Sequence, residues 1–277
     1  MISREPRELV IQPWRSFSLE ELREIWAYRG LLWVLAWRDA SIRYKYTVLG
    51  VLWALLQPVV QVALFTVIFH RIAGLDSGVG VPFGPFVLSG LVLWNLFSAG
   101  VNAASDSLVR DANLLARVYF PRVILPLSSL LAPLLDGCVA AALLLFVLVY
   151  HGRLTGVGAL SVLPLAMLTI LAATGPGLAL SALTVRYRDL RHALPFLQQL
   201  LLYGAPVFYP RSAVPEQFRV YLDLNPMVPV MDALRSTLFG LPFEGQRLVL
   251  ATGEILLLLM LGYSYFRRVE RTLADEL

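Results

Sequence analysis

The chain has 277 residues, of which 58% are apolar and 15% charged, and its mean hydropathy is +0.69. Soluble domains contain roughly 45–50% apolar and 25% charged residues, so this composition argues against an ordinary soluble enzyme and excludes intrinsic disorder. The net charge of +4 indicates basic cytoplasmic loops rather than nucleic-acid binding, and the single cysteine, Cys138, excludes an internal disulfide. We therefore predict an all-α membrane protein with several spans.

The N-terminal segment, residues 1–30, is predicted to be cytoplasmic and to contain an amphipathic helix. Residues 18–21 (SLEE) form a capping box that starts this helix. Leu22, Ile25 and Trp26 then share one face, as expected for a helix lying along the membrane interface. A soluble helix packed on another domain would show the same pattern. We expect no secretory signal peptide, because this segment is charged and lacks an apolar core.

The remaining chain, residues 31–277, is predicted to be one transmembrane domain with six helices. Crossing ~30 Å of hydrocarbon takes about 20 apolar residues, and six segments bounded by ionisable groups approach this length. The predicted spans lie near residues 48–69, 85–105, 123–150, 160–184, 193–210 and 248–266.

The segment between the fifth and sixth predicted spans is neither a clean span nor a polar loop. Asn225 and Pro226 divide it into two short apolar stretches, and the second ends at Gly240. We predict two short helices. A re-entrant pair dipping into the outer leaflet needs protein or a water-filled cavity around its backbone, whereas two helices lying flat on the outer surface do not. The pattern alone fits both arrangements.

The distribution of basic residues predicts that both termini are cytoplasmic, because inner loops are enriched in Lys and Arg. The flanks assigned to the inner side carry Arg29, Arg38, Arg43, Lys45, Arg110, Arg117, Arg122, Arg186, Arg188, Arg191, Arg267, Arg268 and Arg271. The loops assigned to the outer side carry only Arg71, Arg153, Arg211, Arg219, Arg235 and Arg247.

Sequence motifs for catalysis and for nucleotide binding are absent. The chain has no GxxxxGK[ST] phosphate loop, no HExxH and no GxSxG. The three histidines, His70, His151 and His192, all lie at predicted span ends, so we expect no metal site. A transporter without its own nucleotide site would need its energy from another chain.

Two carboxylates fall within predicted spans, where a charge costs at least ~2.5 kcal/mol. Asp136 lies in the middle of the third span and Glu254 nearer the outer end of the sixth. Asp136 could be a proton relay or a substrate contact. We favour a structural hydrogen bond to a neighbouring helix, aided by close packing at Gly137, because no second ionisable partner in the middle of the membrane is evident.

Two short basic loops, which join the second to the third span and the fourth to the fifth, mix Arg with Asp and aromatic residues. They act either as orientation signals or as a docking surface for a cytoplasmic partner. The candidate residues for contact with that partner are Arg110, Arg117, Tyr119, Arg122, Arg186, Arg188, Asp189 and Arg191.

The sequence resembles the membrane subunits of ABC type-2 polysaccharide exporters, which carry O-antigen, capsular polysaccharide or teichoic acid. Residues 38–58 (RDASIRYKYTVLGVLWALLQP) are similar to the start of that domain. Residues 117–122 (RVYFPR) and 186–189 (RYRD) resemble its cytoplasmic loops, and residues 206–210 (PVFYP) and 225–227 (NPM) the region after its fifth span. Each match is short, but together they occur in order along the chain.

The resemblance implies that two copies of this chain pair with two copies of a separate ATPase, which binds the ATP and Mg²⁺, so this chain carries no cofactor. It implies that the interface helix and the two loops contact the ATPase. It also implies re-entrant helices before the last span. The transported substrate would be a lipid-linked glycan moved outward across the bacterial inner membrane.

Aromatic residues line channels of this family in part, and sugar rings can stack on them. The candidates in this chain are Trp53, Trp94, Tyr203, Phe208 and Tyr209. One alternative function is an ABC type-2 permease for a drug or a simple lipid. Another is an intramembrane enzyme that uses Asp136 as a catalytic acid.

Overall fold

The computed structural model describes residues 19–45, 52–153 and 156–270, and within these ranges the chain is helical with no strand. Twelve α-helices follow one another in this part of the chain. They are α1 (Leu19–Ala27), α2 (Arg29–Lys45), α3 (Leu52–Phe65), α4 (Phe83–Arg110), α5 (Ala112–Leu115), α6 (Ile124–Ser128), α7 (Leu131–Tyr150), α8 (Gly156–Arg186), α9 (Leu190–Gly204), α10 (Glu216–Asp223), α11 (Met227–Phe239) and α12 (Gly245–Glu270). A π-helical stretch, Thr66–Ile72, continues α3.

The prediction of an all-α membrane protein with several spans is confirmed. Five helical segments of the described chain are long and apolar enough to cross a membrane: Leu52–Ile72, Phe83–Arg110, Ile124–Tyr150, Gly156–Arg186 and Gly245–Glu270. They correspond to the first, second, third, fourth and sixth predicted spans. The predicted start of the first span lies outside the described residues.

The fifth predicted span is a shorter helix. Helix α9 has 15 residues, equivalent to about 22 Å at 1.5 Å per residue, which is less than the ~30 Å of hydrocarbon. It ends at Gly204, and Ala205 is extended with ψ of 145° because the residue before a proline disfavours helical geometry. A count of six spans therefore stays a prediction.

Helix α4 lies at the centre of the bundle. It packs most extensively against α8 and also contacts α7, α11, α3 and α9, while α8 packs in turn against α12. About two thirds of the apolar stretch of α4 is buried, compared with 11% for α3. Helix α3 therefore presents most of its apolar surface outward.

Helices α8 and α12 cross at a pair of glycines. A Cβ atom added at Gly175 would lie 2.7 Å from the main chain of Leu258, and one added at Gly262 would overlap the carbonyl oxygen of Gly175. Small residues permit such close approach of helices in membranes.

The buried side chains include two large clusters near opposite ends of the bundle. One joins Leu35, Leu108, Ile124, Val185 and Phe266, which come from α2, the end of α4, the start of α6, the end of α8 and the end of α12. We call this the basic end, because the predicted cytoplasmic flanks all meet there. The larger cluster includes Phe83, Leu148, Val162 and the buried hydrophobic side chains of α11.

The two short helices predicted between the fifth and sixth spans are present as α10 and α11. The Asn225 side chain accepts a hydrogen bond from the Met227 N–H (3.1 Å), and Gly240 ends α11 in the left-handed region with φ of 68°. Helix α11 is buried against α4, α8 and α12, whereas α10 exposes Val220 and Tyr221. A re-entrant placement stays a prediction.

Near these helices, two arginines converge on one carboxylate. Arg211 binds Asp223 through two hydrogen bonds of 2.6 and 2.8 Å, and Arg247 of α12 binds the same carboxylate. Substituting Asp223→Asn removes the charge shared by both, and we expect the free energy of unfolding to fall by about 1–2 kcal/mol, since the site is partly exposed. Thermal unfolding in detergent measures this change. Glu216→Gln is the control, because the Glu216 carboxylate is 90% exposed and 3.6 Å from Arg219. An unchanged unfolding midpoint for Asp223→Asn would show that the two arginine contacts do not contribute to stability.

Candidate functional site

The loop that follows α4 is anchored at one end and exposed at its tip. After the single turn of α5, Arg117, Val118 and Tyr119 are exposed, and the side chain of Tyr119 is the most open, at 83%. Phe120 is buried in the cluster at the basic end. The buried Phe120 therefore fixes the position of the exposed tip, which carries Arg117 and Tyr119.

The second loop lies next to the first. Tyr187, Arg188 and Asp189 are exposed between α8 and α9. Arg191 Nε donates a hydrogen bond of 2.8 Å to Asp106 on α4, and the hydroxyls of Ser105 and Thr184 are 3.0 Å apart. The helices that carry the two predicted loops are thus joined by polar contacts just before the loops begin.

A four-residue charge cluster connects α2 to the end of α4. Arg38 donates hydrogen bonds to Asp39 (2.8 Å) and Asp111 (2.9 Å), and Arg110 donates to Asp39 (2.5 Å) and Asp111 (3.3 Å). Burial lowers the pKa of the Arg38 guanidinium, but the hydrogen bonds to Asp111 and Asp39 outweigh it and raise the pKa above its ordinary value. The guanidinium therefore stays charged, and the cluster holds α2 against α4.

A groove of about 470 Å³ opens beside the first loop. It is lined by Glu24 of α1, residues 115–122, and Arg267 and Glu270 of α12. Arg122 closes one side of the groove. Its guanidinium donates to the Glu270 main-chain oxygen (2.9 Å), and its main-chain N–H donates to the Glu270 carboxylate (3.3 Å). The groove is a concave surface with charges of both signs at the basic end.

The eight predicted contact residues divide into two groups. Arg110, Arg122 and Arg191 are bound to carboxylates or to the main chain of neighbouring helices. The other five, Arg117, Tyr119, Arg186, Arg188 and Asp189, are exposed and form no side-chain hydrogen bond or ion pair within the described residues. Within the ranges that the structure covers, Arg117, Arg186 and Arg188 have no ion-pair partner, so three guanidinium groups face outward from the paired loops.

The predicted interface helix includes α1 and continues into α2. Ile25 packs against the cluster at the basic end, whereas Trp26 is 69% exposed, so these two side chains do not share one environment. Trp33 and Trp37 extend the exposed aromatic strip and stack with ring centroids 6.3 Å apart. The side chain of Leu22 and the predicted cap at residue 18 lie outside the described residues.

Asp136 has an ionisable partner that comes from outside the predicted spans. Arg43 of α2 lies 2.7 Å from Asp136, and the Tyr44 hydroxyl donates a hydrogen bond to the same carboxylate. Burial and this hydrogen bond raise the pKa of Tyr44, so its hydroxyl stays protonated and donates. Gly137 packs closely on Leu96 of α4, as predicted. The sequence gives no signal for the Arg43 contact, because 93 positions separate the two residues and α2 is not a span.

Glu254 of α12 is half-buried, and its side chain forms no hydrogen bond or ion pair to any residue in the part of the chain that the structure describes. Across the same residues, no three His, Cys, Asp or Glu side chains come together where they could hold a metal ion.

The five candidate channel aromatics lie in three places. Trp94 is buried in the core beside Phe97, and its ring does not reach the surface in this conformation. Trp53 is exposed at the start of α3. The remaining three candidates come together at the far end of α9.

These three form an aromatic cluster with two rings that the sequence did not single out. Phe208 is buried and stacks on Phe65 and Phe69 of the first span, with centroid distances of 5.0 and 4.4 Å. Tyr203 and Tyr209 contact the edge of Phe208 at 5.7 and 5.3 Å and remain partly open. The i, i+4 spacing of Phe65 and Phe69 places them on one helix face and could have identified them.

Comparison with known proteins points to one family. The family model described as ABC-2 type transporter matches residues 30–239. The O-antigen export system permease protein RfbA of Myxococcus xanthus is 31% identical over 248 residues, which cover 86% of this chain and 92% of that protein. A protein of the same name from Klebsiella pneumoniae is 27% identical over 89% of this chain and 95% of its own length. The polysialic acid transport protein KpsM of Escherichia coli is 26% identical over 85% of this chain and 92% of its own length. With its five apolar spans and its paired basic loops, this chain belongs to the ABC-2 type transporter family.

Proposed function

We propose that this chain is the membrane-spanning permease subunit of an ABC exporter that moves a lipid-linked polysaccharide outward across the bacterial inner membrane. A separate ATPase subunit supplies the energy. The two copies of the permease form the pathway, and two copies of the ATPase bind at the basic end, which faces the cytoplasm.

The observation that carries the proposal is the pair of joined loops at the basic end. The first loop exposes Arg117 and Tyr119 beside an open groove and the second exposes Arg186 and Arg188, while the chain has no phosphate loop of its own. Because the loops extend directly from α4 and α8, which form the most extensive helix pair, a force on the loops acts on the core of the membrane domain.

The substrate class follows from the similar proteins and from one feature of the structure. The relatives are named for export of O-antigen and transport of polysialic acid. In this chain Tyr203 and Tyr209 leave part of an aromatic cluster open at the end of α9. Aromatic faces of this kind suit sugar rings, which present an apolar side along with their hydroxyls.

The second copy is proposed to cover part of the outward apolar surface of α3. That helix is the least buried of the five spans, and its exposed side chains include Val59, Val60, Leu64 and Val67. In the proposed arrangement α10 and α11 are re-entrant, and the packing of α11 among three spans supports this by covering its backbone with protein.

Reversing the charge of the exposed loop cations tests the ATPase contact. We expect the double substitution Arg186→Glu and Arg188→Glu to weaken co-purification of the ATPase about tenfold or more, because like charges placed across an interface cost several kcal/mol. Arg153→Glu is the matched control, since Arg153 is equally exposed but lies on a loop predicted to face outward. If the double variant retained the ATPase as well as the parent does, the assignment of this loop to ATPase binding would be wrong.

ATP-dependent transfer of a lipid-linked glycan in vesicles that contain both subunits tests the transport function itself. The proposal expects transfer that requires ATP and the ATPase. Transport of a drug or a free lipid without glycan transfer would favour the alternative permease. Turnover by the purified chain alone would favour the intramembrane enzyme.

A further inference from the structure

A second polar cavity lies away from both the loops and the aromatic cluster. It has a volume of about 270 Å³ and is enclosed by α2, α3, α4 and α7. Its polar lining is unusual for a membrane domain, because buried or lipid-facing polar groups are costly unless they are hydrogen-bonded. The residues that supply this polar lining are Arg43, Tyr44, Trp53, Gln57, Asn95 and Asp136.

The charges in the cavity neutralise one another. Arg43 is 2.7 Å from Asp136, and the Tyr44 hydroxyl donates to the same carboxylate. An anionic ligand would have to displace Asp136 from Arg43, and a cationic ligand would have to displace Arg43 from Asp136. The cavity is therefore suited to a ligand without net charge.

Two amides at the cavity provide hydrogen-bonding capacity. Asn95 uses one donor, through Nδ2, for Gln61 Oε1 at 2.8 Å. Gln57, one turn after Trp53, has no hydrogen-bond partner anywhere in residues 19–45, 52–153 or 156–270. A side-chain amide both donates and accepts, which matches a hydroxyl group, since a hydroxyl does the same.

The indole of Trp53 completes the site. Trp53 lines the cavity and is 56% exposed, so the rest of the chain leaves its side chain largely uncovered. Trp53 is in the first turn of α3, and tryptophan favours the membrane interface, where lipid headgroups lie. A ligand here would extend from Trp53 toward the middle of α4 and α7.

We propose that this cavity, which we call the α2–α7 pocket, binds a neutral sugar ring stacked on Trp53 and hydrogen-bonded to Gln57, Asn95 and the Asp136 carboxylate. Under the proposed function, on which this inference rests, the ring is a membrane-proximal sugar of the lipid-linked glycan on the cytoplasmic side. The pocket would hold the substrate where it enters the membrane domain. One of its walls is α2, which Arg38 and Asp39 connect to the end of α4.

The sole cysteine allows the pocket to be tested directly. Cys138 is exposed and follows Asp136 and Gly137 of the lining, so an environment-sensitive fluorophore on its thiol reports on the pocket. We would label the permease–ATPase complex in nanodiscs and titrate it with methyl glycosides of neutral hexoses. Glycerophosphoethanolamine and glycerophosphoglycerol, titrated in parallel, represent phospholipid headgroups.

We expect a saturable response to at least one neutral hexoside. Trp53→Leu should weaken it about tenfold, because it removes the stacking surface, and Gln57→Leu should weaken it by removing the amide. Trp33→Leu, an equally exposed tryptophan away from the cavity, should leave it unchanged.

Two results would overturn the pocket assignment: no saturable response to any hexoside, or a hexoside response that Trp53→Leu and Gln57→Leu leave intact. Saturation by a glycerophospho compound alone would identify a phospholipid site instead. The titration needs no ATP and no transport. If the hexosides do not bind while ATP-dependent glycan transfer is intact, only the pocket assignment is rejected. Failure of transfer rejects the proposed function.

Discussion

Replacing Arg235 with methionine is expected to destabilise severely the end of the membrane domain that lies opposite the basic end. Arg235 is 3% exposed, and it donates hydrogen bonds of 2.7 Å to the main-chain oxygens of Pro206 and Val207. Its guanidinium lies 3.9 Å from the ring centroid of Phe86, and Gly90 leaves the space that it fills. Methionine has a similar length but no donor. Each buried carbonyl left without a donor costs about 1–3 kcal/mol, only partly offset because the variant no longer buries a charge.

The measurement is the yield of monodisperse protein in size-exclusion chromatography, together with the midpoint of thermal unfolding. Arg219→Met is the matched control, because Arg219 also donates to main-chain oxygens, at 2.9 Å for Val214, but is partly exposed so that water can replace it. Arg235→Lys should recover part of the stability by reaching one carbonyl. Equal midpoints for Arg235→Met and Arg219→Met would show that the buried contacts contribute little.

A large loss of stability is also expected when a single methyl group is added where α8 and α12 cross. In Gly262→Ala the new Cβ would overlap the carbonyl oxygen of Gly175, and main-chain atoms on both sides cannot rotate away as a side chain can. The helices must separate, which also weakens the packing around Leu258. Overpacking in a close-packed interior costs about 1–3 kcal/mol, and we expect the upper part of that range because the obstacle is backbone.

Gly253→Ala is the comparison on the same helix. No atom lies within 4 Å of a Cβ added at Gly253, and alanine favours a helix over glycine by about 1 kcal/mol. We therefore expect Gly253→Ala to unfold at the same temperature as the parent or higher, and Gly262→Ala well below it. If both variants unfolded alike, the close crossing of α8 and α12 would not contribute to stability.

The sequence predicted those parts of the fold that depend on local patterns. Runs of apolar residues between charges predicted the five spans, and Asn225, Pro226 and Gly240 predicted where α10 and α11 break and end. The helix of the second span continues past the predicted span end at residue 105 to Arg110, and Arg191 binds Asp106 in this additional turn.

The contacts that define the sites depend on residues far apart in the chain, and no local pattern predicts them. Arg43 reaches Asp136 only because α2 lies across the start of α7. Arg235 was assigned to an outer loop by its charge, yet it is buried, because two carbonyls at the end of α9 need a donor. Most of the eight predicted loop residues are exposed, as their charge suggests, and their contact with a partner stays a prediction.

The length of the two central helices has a mechanical consequence. With 28 and 31 residues, α4 and α8 extend for about 42 and about 46 Å, against ~30 Å of hydrocarbon. The charged ends at Arg110 and Arg186 are the parts of these helices that suit a position outside the hydrocarbon. A protein bound at these ends can therefore contact both helices at once. Tilting them by a few degrees at that end displaces the far ends, where α11 is packed, by several ångströms.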